Sequence, residues 1–155
     1  MITAQTPKAS VVVCTYDRLR IADLEACVAS LLGQQYEDFE ILVTVDHNKA
    51  MYDTLARKFE HSKVKVVPND SKKRGQASTM NCGLSNSHGE IVCFIDDDAI
   101  ASKEWLWTLV SGYDRSTLGV GAAWKLFGWP RNLTICRKSS IGWSVPQETT
   151  YRASL

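Results

Sequence analysis

Three adjacent carboxylates, Asp96, Asp97 and Asp98, close an apolar run of strand length, Glu90-Ile91-Val92-Cys93-Phe94-Ile95. Like charges at that spacing repel, so a folded site must supply a cation, a hydrogen-bonding ligand or plain solvent. Two readings follow: a divalent-metal site that faces a ligand, or a solvated acidic turn. Three more polar clusters stand at comparable places. Thr15-Tyr16-Asp17-Arg18 follows the apolar run Ser10–Cys14, and Asp46-His47-Asn48 follows Phe39–Val45. The basic loop Ser71-Lys72-Lys73-Arg74-Gly75 comes shortly after Val64–Val67.

The elements that must position these groups can be read from periodicity. The apolar runs at 10–14, 39–45, 64–67 and 90–95 predict strands buried on both faces, as in a parallel sheet, and Val120–Trp124 predicts a fifth. Leu24, Cys27, Val28, Leu31 and Leu32 recur at helical spacing before Gly33. A second helix is expected over 51–59. A third opens after Gly75, with Ala77, Met80, Asn81 and Leu84 near one face. Ser102 is the expected cap of a fourth, which carries Trp105, Leu106, Leu109, Val110 and Tyr113. Strands alternating with helices imply right-handed βαβ units, and ligands of such sheets bind outside the carboxyl ends of the strands. All four polar clusters fall on that edge, which favours the ligand-site reading of the acidic triplet. Residues 127–155 show no clear period.

The chain contains neither GxGxxG after its first strand nor GxxxxGK[ST], so a phosphorylated ligand would need another source of positive charge. A divalent cation on Asp98, with Asp96 or Asp97 nearby, supplies it. Carboxylate oxygens are hard ligands that suit Mg2+ or Mn2+. Lys72, Lys73 and Arg74 are candidate helpers.

Length and composition narrow the classes. The 155 residues make one domain's worth of chain, and 45% hydrophobic content predicts a folded core. Eighteen basic and 17 acidic side chains leave a net charge of +1, which argues against nucleic acid as a partner. Five cysteines, Cys14, Cys27, Cys82, Cys93 and Cys136, form no CxxC pair, and are expected to be reduced residues of a cytoplasmic protein. No run approaches the roughly 20 apolar residues of a membrane-spanning helix. Met1–Ala9 lacks the apolar core of a signal peptide.

Ser10–Arg18, Gln34–Asp46, the run from Gly75 to Asn81-Cys82-Gly83, and Gly89–Asp98 together resemble family 2 glycosyltransferases of the GT-A fold, over roughly residues 9–125. The resemblance implies an α/β, GT-A-like (Rossmann-like) three-layer sandwich with a mostly parallel central sheet. It implies metal-assisted transfer, with inversion, of a sugar from a nucleotide-diphospho-sugar, usually a UDP-sugar, to a hydroxyl acceptor on a glycan or lipid-linked sugar. Tyr16 matches the position that lies against the base, and Asp46 the acid that hydrogen-bonds it. Arg74 and Gly75 match the loop near the nucleotide sugar. Asp97 matches the acid near the ribose or donor sugar, and Asp98 the metal ligand of the DxD-type motif. With Thr15, Arg18 and Asp96 from the same edge, these are the expected site residues.

The chain departs from the family pattern in three places. Asp17 stands where Asn is frequent. His47-Asn48-Lys49 replaces a second acid and Gly-Ser. No downstream motif supplies the catalytic base that an inverting transfer needs. Glu148, the sole acid in the last 40 residues, has no supporting pattern. The expected organisation is therefore a nucleotide-sugar-binding domain over 1–125, with 126–155 as the start of an acceptor-binding half. Membrane association and self-association are open for the same reason. Trp124, Trp129 and Trp143 are candidates for acceptor contact or plain packing, and Asn132-Leu133-Thr134 is a glycosylation sequon that a cytoplasmic chain would not use. Dehalogenase-like phosphohydrolases and receiver domains are weaker alternatives, because their acidic motifs follow the first strand. A nucleotide-sugar-binding module without turnover is the alternative from another class.

Overall fold

A computed structural model describes residues 8–113 and 135–137. Strand β1 (Ala9–Thr15) leads through a one-turn 3-10 helix, Arg18–Arg20, into α1 (Ile21–Leu32). There follow β2 (Phe39–Asp46), α2 (Lys49–Lys58), β3 (Val64–Asn69), α3 (Gln76–Asn86), β4 (Ile91–Asp96), α4 (Trp105–Ser111) and β5 (Ile135–Arg137). The sheet order is β3-β2-β1-β4-β5. The first four strands in the chain pair in parallel, and β5 runs antiparallel to β4. The expected strand at 120–124, the three tail tryptophans, the sequon and Glu148 lie outside the described residues.

Strand alternation divides the core into two faces. Val11, Val13, Ile41, Val43, Ile91, Cys93 and Ile95 point one way, into a cluster closed by Leu24, Val28 and Leu31 of α1, Met51 and Leu55 of α2, and Trp105, Leu106 and Leu109 of α4. Val12, Leu42, Val67, Val92 and Phe94 point the other way, where Leu84, Met80 and Cys82 of α3 cover them. Helices on both faces make the expected three-layer α/β sandwich. Each large side chain buried this way contributes about 1.5–3 kcal/mol, which explains why strands this apolar settle in the middle of a parallel sheet.

One expectation about the helices is refined and one corrected. The fully buried residues of α3 are Ser78, Thr79, Gly83 and Leu84, with Met80 of the expected face partly buried in the same cluster. The helix sits so close to the sheet that a Cβ at Gly83 would overlap Val12 Cγ1 and press on Thr44 Oγ1. Small side chains mark the closest part of this contact. Ser102 is also not the side-chain cap of α4. Its carbonyl accepts the Trp105 N–H at 3.1 Å, and Glu104 precedes the helix without a capping bond. Gln34, from the loop after α1, does the capping: its Oε1 accepts the Leu106 N–H at 2.8 Å and its Nε2 donates to the Ser102 carbonyl at 2.6 Å.

Strand β3 forms one edge of the sheet and contains Pro68, with Lys65 exposed beside it. Cys14, Cys27, Cys82 and Cys93 form no disulfide among the described residues.

Candidate functional site

The carboxyl ends of β1 to β4 carry two separate acid clusters. The first is built on β2, β3 and α3. Asp46 and Asn69 are register partners at the last positions of neighbouring strands. Alternation turns both towards α3. Asp46 Oδ1 accepts from Asn69 Nδ2 at 2.9 Å, and its Oδ2 accepts the Gly75 N–H at 2.9 Å. Gly75 has φ +103°, a backbone state that only glycine adopts without strain, and it points that N–H at the acid where α3 begins. Asn69 also donates towards Ser78 and Thr79 at 3.3 and 3.2 Å, so three buried polar residues brace one carboxylate.

His47 completes this cluster. It is the one described non-glycine residue with positive φ, 47°. That turn swings its ring back, so that Nδ1 lies 2.6 Å from Asp46 Oδ1 and Nε2 lies 2.7 Å from the Ser71 carbonyl. Both neighbours are acceptors, and a neutral imidazole can donate to only one of them. The imidazolium satisfies both. Its pKa is raised accordingly, first by Asp46 and then by the Ser71 carbonyl, while Arg74 is close enough to work in the other direction. Burial works to raise the Asp46 pKa. Hydrogen bonds from His47, Gly75, Asn69 and Thr79 outweigh it and hold the carboxyl below its ordinary range.

The second cluster is built on β1 and β4. Thr15 and Asp97 continue the α1-side face of their strands, and Arg20 reaches them from the 3-10 turn. One guanidinium nitrogen of Arg20, Nη2, lies 2.9 Å from Asp97 Oδ1 and 2.7 Å from Asp98 Oδ2. The Tyr16 side chain also supports the charged guanidinium. Asp97 is 4% exposed and Thr15 1%. Asp97 Oδ2 and Thr15 Oγ1 are buried without a well-formed hydrogen bond, although the hydroxyl is near enough to favour the ionised acid. Burial pushes the Asp97 pKa up, with Asp98 and Asp96 adding to it, and neither Thr15 nor Arg20 cancels the effect.

Placement of the expected residues is mixed. Asp46 and Gly75 meet directly, and Thr15, Asp97 and Asp98 gather around Arg20. Asp96 ends β4 beside Cys14, its register partner on β1. Tyr16 is 62% exposed at the mouth of the edge, with its carbonyl accepting from Asn48 Nδ2 at 3.3 Å. Arg74 is exposed near His47, and Lys72 and Lys73 are exposed in the same loop. Arg18 is exposed as well and makes no acid contact among the described residues; Arg20, two residues later, does. Sequence reading missed Arg20 and Asn69. The only signal for Arg20 was a second arginine within one tight turn. Burial, followed by the Asp96 charge, pushes the Cys14 thiol far up, and burial pushes Cys27 up to about 12, so neither thiol is a nucleophile here.

No group of three or more metal-ligating side chains occurs among the described residues. The acids after β4 nevertheless fit a hard divalent cation of the Mg2+ type, which keeps few protein ligands and takes the rest from phosphate and water. An orphaned, buried Asp97 oxygen beside Asp98 is the local sign of a missing polar ligand.

A sequence model of the glycosyl transferase family 2 matches residues 10–152. The chain belongs to this glycosyltransferase family. It is 35% identical over 109 residues to the glucosyl-dolichyl phosphate glucuronosyltransferase of Haloferax volcanii, a match to 70% of this chain and 35% of that one. It is 33% identical over 96 residues to the GalNAc(5)-diNAcBac-PP-undecaprenol beta-1,3-glucosyltransferase of Campylobacter jejuni, covering 59% and 30%. The chain thus spans about a third of the length of these relatives. Among solved structures, a mannosyltransferase from Pyrobaculum calidifontis in complex with GDP-Man and Mn2+ superposes with TM-score 0.62 at 23% identity, over 75% of this chain and 35% of that one. S. aureus TarS 1-349 in complex with UDP-GlcNAc superposes with TM-score 0.57 at 26% identity, over 67% and 30%. The GT-A glycosyltransferase fold expected from the strand-end motifs is the fold observed. Among the described residues no helix is long and apolar enough to cross a membrane.

Proposed function

We propose that this family 2 glycosyltransferase chain binds a nucleotide-diphospho-sugar, with a UDP-sugar as first choice, and serves its inverting transfer to a hydroxyl acceptor. The observation that carries the reading is the pair of acid clusters on one sheet edge, one braced and ionised, the other incompletely satisfied. Asp46, held as an anion, is an acceptor suited to the N–H of a pyrimidine base, and exposed Tyr16 offers a ring for that base to lie on. Arg74 and Gly75 border the nucleotide sugar, and Thr15, Arg18, Asp96 and Asp97 line the diphosphate and donor-sugar side. Asp98 would hold Mg2+ or Mn2+, which neutralises charge developing on the diphosphate leaving group.

Residues 1–125 are taken as the donor-binding domain and 126–155 as the start of the acceptor half, with β5 joining the second segment to the sheet of the first. The two relatives named for dolichyl phosphate and undecaprenol carriers support a lipid-linked acceptor reached at the cytoplasmic face of a membrane. A binding module without turnover is not favoured, since the named relatives are transferases.

Calorimetric titration with UDP, GDP and their sugar conjugates, with and without Mn2+, tests the reading. Metal-dependent binding of one nucleotide is expected. Absence of binding by every one of them overturns it. Asp98→Ala protein that binds donor with wild-type affinity and the same metal dependence sinks the metal assignment alone.

A further inference from the structure

The Arg20 contact is unusual for what it occupies. A single nitrogen sits between Asp97 Oδ1 and Asp98 Oδ2, at 2.9 and 2.7 Å. The acid proposed for the metal therefore already carries a cation. The turn that presents Arg20 is lightly anchored. It buries none of its own residues, and Leu19 beside Arg20 is 90% exposed. Asp17 holds the turn together locally: its Oδ1 accepts the Leu19 N–H at 3.0 Å and its carbonyl accepts the Arg20 N–H at 3.2 Å. Among the described residues, Asp97 Oδ2 and Thr15 Oγ1 are buried and lack well-formed partners. One guanidinium offsets only part of the charge of these acids.

We propose that Arg20 is a built-in competitor of the divalent cation, holding the Asp97–Asp98 pair until a diphosphate draws its guanidinium away. This rests on the reading of Asp98 as the metal ligand. Two cations cannot share Asp98 at close range without strong repulsion, so metal alone binds poorly while Arg20 is seated. A diphosphate is the ligand class that changes this. Its oxygens offer a guanidinium the paired acceptors it otherwise finds on carboxylates. Once Arg20 has moved to the diphosphate, Asp98 is released to the metal, and metal and donor bind cooperatively. By linkage, the factor by which nucleotide tightens metal equals the factor by which metal tightens nucleotide. Arg20 is thus a positioning residue that sets binding order.

Mn2+ binding, followed by the loss of the free-ion paramagnetic resonance signal, tests this on wild type, Arg20→Gln, Arg20→Lys and Asp98→Ala, each with and without UDP. Arg20→Gln should bind Mn2+ alone about tenfold or more tighter than wild type, and UDP should add less further gain. Arg20→Lys keeps the charge but gives up the shared nitrogen, so it should fall between them. Should Arg20→Gln fail to fold, an Arg20→Lys affinity equal to wild type overturns the proposal. Arg20→Gln that binds Mn2+ no better than wild type, while Asp98→Ala loses Mn2+ binding in the presence of UDP, overturns the competition and leaves the metal assignment standing. Wild-type Mn2+ binding by Asp98→Ala, or none by any of the proteins, overturns both.

Discussion

The two acid clusters share one sheet edge and solve opposite problems. Around Asp46 the neighbours donate: the His47 ring, an amide side chain and a backbone N–H converge on one carboxylate. Around Asp97 the neighbours are acids, and one arginine must serve two of them. The first cluster is braced by groups of the fold itself, as the proposed contact with a base requires. In the second, a buried Asp97 oxygen lacks a well-formed bond among the described residues. Cys14, on the central strand between them, feels the charges of both sides. A braced acid and a crowded group of acids thus occupy neighbouring strand ends of a single scaffold.

The largest contrast should come from the acids themselves. Asp46→Ala leaves three donors facing nothing and should cost about 3 kcal/mol of folding stability as well as nucleotide binding, whereas Asp98→Ala should cost less than about 1 kcal/mol. Urea unfolding of the two variants checks this, and equal losses would erase the distinction. Gly83→Ala should come next, at about 2 kcal/mol, because a methyl group against Val12 pushes α3 away from the sheet. Since α3 begins at the Gly75 amide, that variant should weaken UDP binding more than it weakens Mn2+ binding; the reverse order would place α3 with the wrong cluster.

Asp97→Asn should have a smaller effect of the opposite sign. A carboxyl whose folded pKa is raised favours folding in full only below its unfolded value near 3.8, and loses that contribution as pH rises through the folded value. At pH 7 the amide should therefore leave stability unchanged or raise it by up to about 1 kcal/mol, while donor affinity falls. Thermal melts beside calorimetry read both effects. A large loss of stability would mean that Asp97 is as well satisfied as Asp46.

The finest test is the titration of His47. Asp46 contributes stability above its unfolded pKa of 3.8 and loses it as pH falls through the depressed folded value. His47 contributes in full below 6.5 and loses it as pH rises through its raised folded value. The pair is worth most between those limits. The His47 ring resonances should titrate above 6.5 in the wild type and move back towards it in Asp46→Asn. A midpoint unchanged by that substitution would detach His47 from the cluster.

Much of this was legible in the sequence. Apolar runs that stop at polar residues located the four parallel strands and put Asp46 and Asp97 on one edge. What escaped notice had physical causes. Asn69 looked like part of a turn because Pro68 seemed to end the strand, yet an edge strand tolerates proline. Arg20 sits on a 3-10 turn too short to show a period. The seat of α3 is made by Ser78, Thr79 and Gly83, whose small size carries no hydrophobic signal. The cap of α4 comes from Gln34, distant in sequence, which no local pattern can reveal. Strand β5 has only three residues, within a stretch that shows no alternation.

Pro68 has one more effect. Proline can join a ladder only with its nitrogen turned away from the neighbouring strand, so the outer edge of β3 lacks a donor there. The acceptor on that residue is also engaged, by the Cys82 thiol at 3.5 Å. Lys65 adds a charge further along the same edge. A second chain arriving to extend the sheet by strand addition would meet a gap, an occupied carbonyl and an ammonium group, and the open border of the domain is thereby guarded against edge-to-edge aggregation.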